Sequence, residues 1–470
     1  MSASPPLPAL SWSTPVKAHQ LAALAVATLT LSACSGSNNG AAAVVAEGRN
    51  GETASVASGT PRVVVAVIDS TINPYHEHFH AGSALYPDAA PSSVTPALLE
   101  AFGIGPNQIL KPTRSGDFAA DFAADQAFFD RILPGQAVWY EGTNIIAVSF
   151  DGGFNLNPAG KSPHGTGVTS SVLNANPEAV VVFIEGVNAD SENFAFSHPE
   201  VDIVTTSYGL PGSVPVAGEA IAGSYTGVVD GGKLHFGAAD NSPALSPFDG
   251  TSGPWWSIGV AGFEEGSSNG RQLTSGTFPD FIADFTQDLP YCVDCQTGTS
   301  SVGGTSFATP TSAGIASKIL LETRRSLGHR GGIVFAEDGS PLMARGPAGQ
   351  ISNWQLRRAL EQAAWIPDAG SYDPTVGITD LVGIPVPPGA PWLVAGWGLL
   401  SSDPGFAVVP SSLAVLGVPG APEATPAEKD AGFCLFQTEN INARKLFWDQ
   451  VNPLSPSFQN VPATDPFLYC

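Results

Sequence analysis

Basic residues are scarce in this chain. Lys and Arg total 19 against 42 Asp and Glu, and the formal net charge is −23 over 470 residues. Such a surface repels phosphate backbones, so nucleic acid is excluded as a partner. The shortage of Lys also excludes a basic membrane-binding face. Charged residues of both signs make up only 13%, while hydrophobic residues make up 43%, a balance that excludes a disordered chain and predicts a sizeable core. No internal repeat is present. Cysteine is sparse as well, with five in the whole chain. Abundance lies elsewhere, in 52 Gly and 41 Pro, which predict many loops and turns around a packed centre.

The N-terminus carries a targeting pattern. Lys17 and His19 precede the apolar run Leu21–Leu31, which is too short to span a bilayer and fits the core of a signal peptide. Leu31-Ser32-Ala33-Cys34 resembles the bacterial lipoprotein box, in which the Cys is lipidated and becomes the new N-terminus. Residues 1–34 are therefore expected to be a signal peptide ending at lipidated Cys34, with ordinary secretion as the plainer alternative. The protein is expected to be exported and tethered to the cell envelope. The remaining four cysteines, Cys292, Cys295, Cys434 and Cys470, suit disulfides in an exported chain. Cys292-Val293-Asp294-Cys295 has no second ligand pair in view, so a structural disulfide is expected there rather than a zinc site.

Residues 35–61 are rich in Gly, Ala, Ser and Asn and read as a flexible linker. Order begins at Arg62. Val63–Ile68 is a continuous β-branched run, as for a strand buried on both faces. Further strands are expected at 144–150, 179–184, 202–207, 233–238 and 257–261. Helices are expected from His164, over 305–321 and over 354–364, with a helical stretch over 117–133 inside an insertion at 81–140. Apolar strands alternating with helices predict an α/β fold with a mainly parallel sheet flanked by helices. The catalytic domain is expected over 62–415, and 416–470 reads as a C-terminal extension.

Three segments carry residues suited to acyl transfer, which needs a nucleophile, a base, an acid to orient the base, and donors for the oxyanion. Asp69 closes the buried run at the strand's C-terminal end, where open parallel sheets bind ligands. His164 is followed by small residues in Ser-Pro-His-Gly-Thr-Gly. Ser306 opens an apolar helix after Gly303-Gly304, where backbone N–H groups suit an oxyanion. Taken singly, a capping Asp, a loop His and a Ser N-cap explain each equally well.

Together these segments resemble the subtilisin-like serine peptidases. Val67-Ile68-Asp69-Ser70, His164-Gly165-Thr166-Gly167-Val168 and Gly304-Thr305-Ser306-Phe307-Ala308-Thr309-Pro310 match that family's three signatures in its order. The resemblance implies a subtilisin-like fold and a serine endopeptidase in which Asp69 orients His164, His164 is general base and acid, and Ser306 is the nucleophile. It further implies that Asn241 donates to the oxyanion. Ser207, Tyr208, Gly209, Ala238, Ala239 and Asp240 would line the substrate site. Protein or peptide substrates are implied, with no cofactor. Family members often carry structural calcium, but no acidic loop marks a site for it. Gly396-Trp397-Gly398-Leu399-Leu400 resembles the close of the catalytic domain. Three positions depart from the family pattern: Thr71 and Asp240 stand where it usually has Gly, and Gly167 where it often has His. An acidic Asp240 would favour a basic substrate residue. The stretch 35–61 is short for the family's folding prodomain.

Two other readings compete. His76-Glu77-His78-Phe79-His80 matches the zinc-peptidase pattern H-E-x-x-H, which requires a helix with both His on one face. A catalytically silent lipoprotein could also retain the fold as a binding or scaffold domain.

Overall fold

The computed structural model describes residues 61–151, 156–159, 161–209, 223–241, 251–265, 272–274, 279–327, 351–365 and 395–421. Contacts separate Met1–Thr53 from Ala54–Cys470, and every described residue belongs to the second unit. Cys34, residues 35–60 of the expected 35–61 linker, Cys434 and Cys470 therefore lie outside the described residues.

Ten strands form one sheet: β1 Val64–Asp69, β2 Ile109–Leu110, β3 Ala137–Tyr140, β4 Ile145–Ser149, β5 Val180–Glu185, β6 Ile203–Thr206, β7 Leu234–Ala238, β8 Ile258–Phe263, β9 Gln272–Thr274 and β10 Phe281–Asp284. Their order is β10-β8-β7-β6-β1-β5-β4-β3-β2, with β9 beside β8. All pairings are parallel except β3 with β4 and β8 with β9. β1 sits at the centre, its Ala66 in register with Val182 of β5 and Val204 of β6. The expected α/β fold is present.

β1 shows why a run of β-branched residues belongs here. Val63, Val65 and Val67 enter one apolar cluster, and Val64, Ala66 and Ile68 enter another. A strand with a core on each face needs no polar alternation. The first cluster lies under α3 (His164–Ala175), α5 (Thr305–Leu327), α6 (Asn353–Ala363) and α7 (Val408–Val415). The second lies under α1 (Pro96–Ala101) and α4 (Ala189–Ser197). Helices thus cover both faces.

Residues 81–140, expected as an insertion with one helical stretch over 117–133, supply α1, β2, α2 (Phe118–Phe129) and β3, so this segment extends the sheet past β4. Its strands are two and four residues long, below what periodicity resolves. The hairpin β11 (Thr286–Leu289) with β12 (Ser300–Gly303) stands apart from the main sheet, and its half-exposed polar strands carried no apolar signal. Among the described residues no helix is long and apolar enough to cross a membrane.

Far from the sheet's C-terminal edge, Arg324 near the end of α5 is clamped by Asp202 through two hydrogen bonds of 2.6 and 2.9 Å. Asp202 also accepts from the Val64 N–H, and Arg324 donates to the Arg62 carbonyl. The pair is almost fully buried but has further hydrogen bonds, the condition under which such a pair is tolerated. It fixes α5 against β1 and β6 and so aims the helix start at the opposite edge.

Candidate active site

The C-terminal edge of the parallel strands gathers the expected residues. Asp69 ends β1, Ser207 follows β6, and Asn241 follows β7 by three residues. In a parallel sheet this edge is where chain crossings leave a crevice.

Asp69 is 4% exposed and meets His164 Nδ1 with both oxygens, at 2.8 and 3.0 Å. Oδ1 also accepts from the N–H and hydroxyl of Ser70 at 2.7 and 3.0 Å. These contacts hold the carboxylate and leave the other imidazole nitrogen, Nε2, as the free end of His164. Burial works to lower the His164 pKa, but the hydrogen bond and charge of Asp69 outweigh it, so the net shift is upward. His164 is the first residue of α3, and Gly165 explains how α3 reaches the sheet. A Cβ there would collide with the Thr71 carbonyl and come within 2.8 Å of the Phe183 ring.

Ser306 is the second residue of α5, where a backbone N–H has no acceptor inside the helix. Asn241 stands across from it. Its Oδ1 accepts from the N–H and hydroxyl of Thr305 at 2.8 and 3.0 Å, which fixes the amide and leaves Nδ2 as a donor with no partner among the described residues. A Cβ on Gly304 would lie 3.5 and 3.6 Å from Asn241 Oδ1 and Nδ2 and 3.6 Å from Ser306 N, so the Asn241 amide and the Ser306 backbone nitrogen are both close to Gly304. The imidazole of His164 lies beside Phe307, with ring centroids 5.6 Å apart. The Ser306 hydroxyl itself donates to the Ser207 carbonyl at 3.2 Å and makes no hydrogen bond to His164.

Ser207 has a role that sequence patterns do not show. Pro310 lies inside α5 and has no N–H to offer the carbonyl four residues back, which is that of Ser306. The Ser207 hydroxyl donates to that carbonyl at 2.8 Å. Ser306 and the residue that follows β6 are therefore tied reciprocally, with Ser207 OH to Ser306 C=O and Ser306 OH to Ser207 C=O.

The departures from the family pattern have local explanations. Asp240 has φ of +46°, a left-handed conformation that Gly adopts freely and Asp tolerates better than most residues. Its carboxylate accepts from the Asn241 N–H at 2.6 Å. Thr71 is buried and donates to Glu185 at 3.2 Å; Glu185 is fully buried and pairs with Lys161, three residues before His164. Gly167 faces the rings of Phe307 and Tyr291, each 3.0 Å from where its Cβ would be, so a larger residue would displace them.

Of the expected substrate residues, Ala238 and Ala239 are buried and Asp240 is exposed. Tyr208 turns its ring to the second apolar cluster and its hydroxyl to Glu192 of α4. Burial raises the Glu192 carboxyl to about 7, against the lowering effect of that hydrogen bond. Gly209 is the last described residue before 223, so the wall beyond it lies outside the described residues.

The H-E-x-x-H pattern does not form a zinc helix. Glu77–Phe79 is a single 3-10 turn, with His76 capping it. His80 Nε2 bonds the Pro74 carbonyl at 2.8 Å, and Glu77 accepts from the Gly298 N–H at 3.3 Å. Among the described residues the group that could hold a metal is His76 with Cys292 and Cys295, whose donor atoms lie within 4.8 Å of one another. His80 is not part of it. The two sulfurs are joined as the expected disulfide.

No protein-family model matches the sequence, and no curated protein does. Several solved structures are similar. The prenylagaramide maturation protease PagA is 13% identical over 76% of this chain and 94% of its own, with a TM-score of 0.40. A lanthipeptide protease is 16% identical over 74% and 88%, with a TM-score of 0.41. A cold adapted subtilisin-like serine proteinase is 16% identical over 64% and 82%, with a TM-score of 0.37. At these TM-scores the likenesses carry no argument, and the site stands on its own geometry.

Proposed function

We propose that this chain is a subtilisin-like serine endopeptidase acting through Asp69, His164 and Ser306. The observation that carries the proposal is the pairing of His164 Nδ1 with the buried Asp69 carboxylate, at the sheet edge where the Asn241 amide and Ser306 N both lie close to Gly304. In this reading Ser306 Oγ attacks the scissile carbonyl as His164 Nε2 takes its proton. Asp69 holds the ring and stabilises the imidazolium that forms. The oxyanion accepts from Ser306 N–H and Asn241 Nδ2. His164 then protonates the leaving amine, and water repeats the sequence to release the acid from the acyl-enzyme.

One observation favours a silent scaffold: Ser306 Oγ points to the Ser207 carbonyl rather than to His164. Catalytic hydrogen bonds are often unmade before substrate binds, and a turn about one side-chain bond redirects a Ser hydroxyl. A fluorophosphonate probe separates the two readings. The peptidase labels at Ser306, loses labelling in Ser306→Ala, and cleaves members of a peptide library. Folded wild type that neither labels nor cleaves would establish the scaffold. We also propose export and envelope tethering through a lipid on Cys34, to be tested by metabolic labelling with an alkynyl fatty acid, which Cys34→Ala should abolish.

A further inference from the structure

One loop beside the site takes no part in the acyl-transfer chemistry yet touches the segments around Asp69, His164 and Ser306. Residues 290–299 link β11 to β12. Tyr291 meets Phe307, the neighbour of Ser306, edge-on at 5.8 Å, and its ring also lies over Gly167 of the helix opened by His164. The Cys295 carbonyl accepts from Asn73 Nδ2 at 2.8 Å, and the Asn73 N–H donates to Thr166 Oγ1 at 2.9 Å. The Gln296 carbonyl accepts from the Glu77 N–H at 2.7 Å, and the Gly298 carbonyl bonds His76 Nε2 at 2.9 Å. The chain just after Asp69, the start of α3 and the start of α5 thus share one support. One covalent bond, Cys292–Cys295, closes the turn within this loop that carries the Cys295 carbonyl and lies between Tyr291 and Gln296.

The support is open to chemistry. Both cysteines are half-buried, and Asp294 and Thr297–Thr299 around them are exposed, so the pair sits in a solvent-facing loop. His76 lies beside the pair but spends Nε2 on the Gly298 carbonyl and Nδ1 on the His78 N–H. A soft cation would need the sulfur–sulfur bond broken and the imidazole released. Thiol exchange needs only the first.

We infer that Cys292–Cys295 is a redox modification site that controls the proposed peptidase: the disulfide holds the three catalytic segments in register, and its reduction by a dithiol switches the enzyme down. The inference rests on the triad reading above. A reductant thiolate attacks one sulfur and forms a mixed disulfide as the other leaves as thiolate. The second reductant thiol then displaces the first cysteine. Two electrons and two protons pass to the pair, which ends as two thiols, while the reductant ends as a cyclic disulfide. The freed loop no longer fixes Tyr291 against Phe307 or the Cys295 carbonyl against Asn73. Misplacing a reacting group by about 1 Å costs on the order of 100-fold in rate.

The test uses the full chain, oxidised, and follows peptide turnover against the ratio of reduced to oxidised dithiothreitol, with thiols counted and circular dichroism recorded at each ratio. Appearance of the Cys292 and Cys295 thiols should lower kcat by roughly 10- to 100-fold in protein that remains folded, with KM changed far less. The acidic limb of the pH–rate profile should shift as the Asp69–His164 pair loosens, and re-oxidation should restore the rate. Cys292→Ser/Cys295→Ser should be slow and indifferent to reductant. Should that variant fail to fold, the reduction and re-oxidation cycle of wild type carries the test alone. A cross-link that only stabilises the fold would lower the unfolding temperature on reduction and leave kcat and the pH profile alone, which would overturn the inference while the triad reading stands. Reductant sensitivity surviving in the double variant would overturn it too. Oxidised protein without Ser306-dependent turnover would remove both readings.

Discussion

The tie between Ser207 and the Ser306 carbonyl makes a quantitative prediction about an interaction that crosses 99 residues of sequence. Pro310 deprives that carbonyl of its helical donor, and the Ser207 hydroxyl supplies the replacement. In Ser207→Ala the carbonyl is left buried and unpaired, which costs about 1–3 kcal/mol. Pro310→Ala restores an N–H four residues along, so the carbonyl regains a helical partner and no longer depends on Ser207. The two changes should therefore couple: Ser207→Ala should cost about 1 kcal/mol or more less in the Pro310→Ala background than alone. The cycle is best measured by urea unfolding in a Ser306→Ala background, which prevents self-digestion and leaves the carbonyl in place. Strictly additive penalties, agreeing within about 0.5 kcal/mol, would refute the reasoning, because they would mean that the hydroxyl and the missing N–H do not serve the same acceptor.

Asn241→Ala should lower kcat by about 100- to 1,000-fold with little change in KM, since in the proposed mechanism its Nδ2 acts only on charge that develops in the transition state; a loss confined to KM would contradict that role. The active form needs neutral His164, whose pKa is raised, so the acidic limb of kcat/KM should fall above the ordinary histidine value of about 6.5. Asp69→Asn should cost about 10⁴-fold in kcat, as expected when the imidazole loses its orienting carboxylate, and a limb below pH 6 in wild type would contradict the pairing. Glu192 is held up to about 7 by burial, so wild type should lose stability relative to Glu192→Gln as pH rises from about 4.5 to 7, at about 1.4 kcal/mol per pH unit, and then level off. A difference that does not change with pH would rule out a carboxyl titrating there.

How much of this was legible beforehand follows the range of the interactions. β1, β4, β5, β6, β7 and β8 each declared themselves through short apolar runs, because burial on both faces leaves a purely local signature. Asp69, His164, Ser306 and Asn241 were picked out together by the order of segments that resemble the family's motifs, and the fold brings Asp69 to His164 and Asn241 to Thr305 beside Ser306. β2, β3, β11 and β12 were not, since two to four residues with mixed burial give no period to read. H-E-x-x-H, a competing reading that required a helix, fails for the converse reason. Its spacing has meaning only on a helix, and Pro74 and the tight exit from β1 allow a single 3-10 turn.

The departures from the family pattern show what the sequence left out. Thr71, Gly167 and Asp240 looked like three unrelated substitutions. In the fold each is answered by a distant residue or by backbone geometry: Thr71 by Glu185, Gly167 by Tyr291 and Phe307, Asp240 by a left-handed backbone and the Asn241 N–H. Two of the three answers come from partners 114 or more residues away in the chain. The same holds for the loop at 290–299, which reads as a polar connection with a C-x-x-C and becomes, once folded, the common neighbour of Asn73, Gly167 and Phe307. A site built at the edge of a parallel sheet takes each catalytic residue from a different crossing. Its chemistry is therefore written in local motifs, while its alignment depends on contacts that no local motif encodes. Substitutions at Ser207 or Tyr291 should accordingly disturb catalysis without touching any member of the triad.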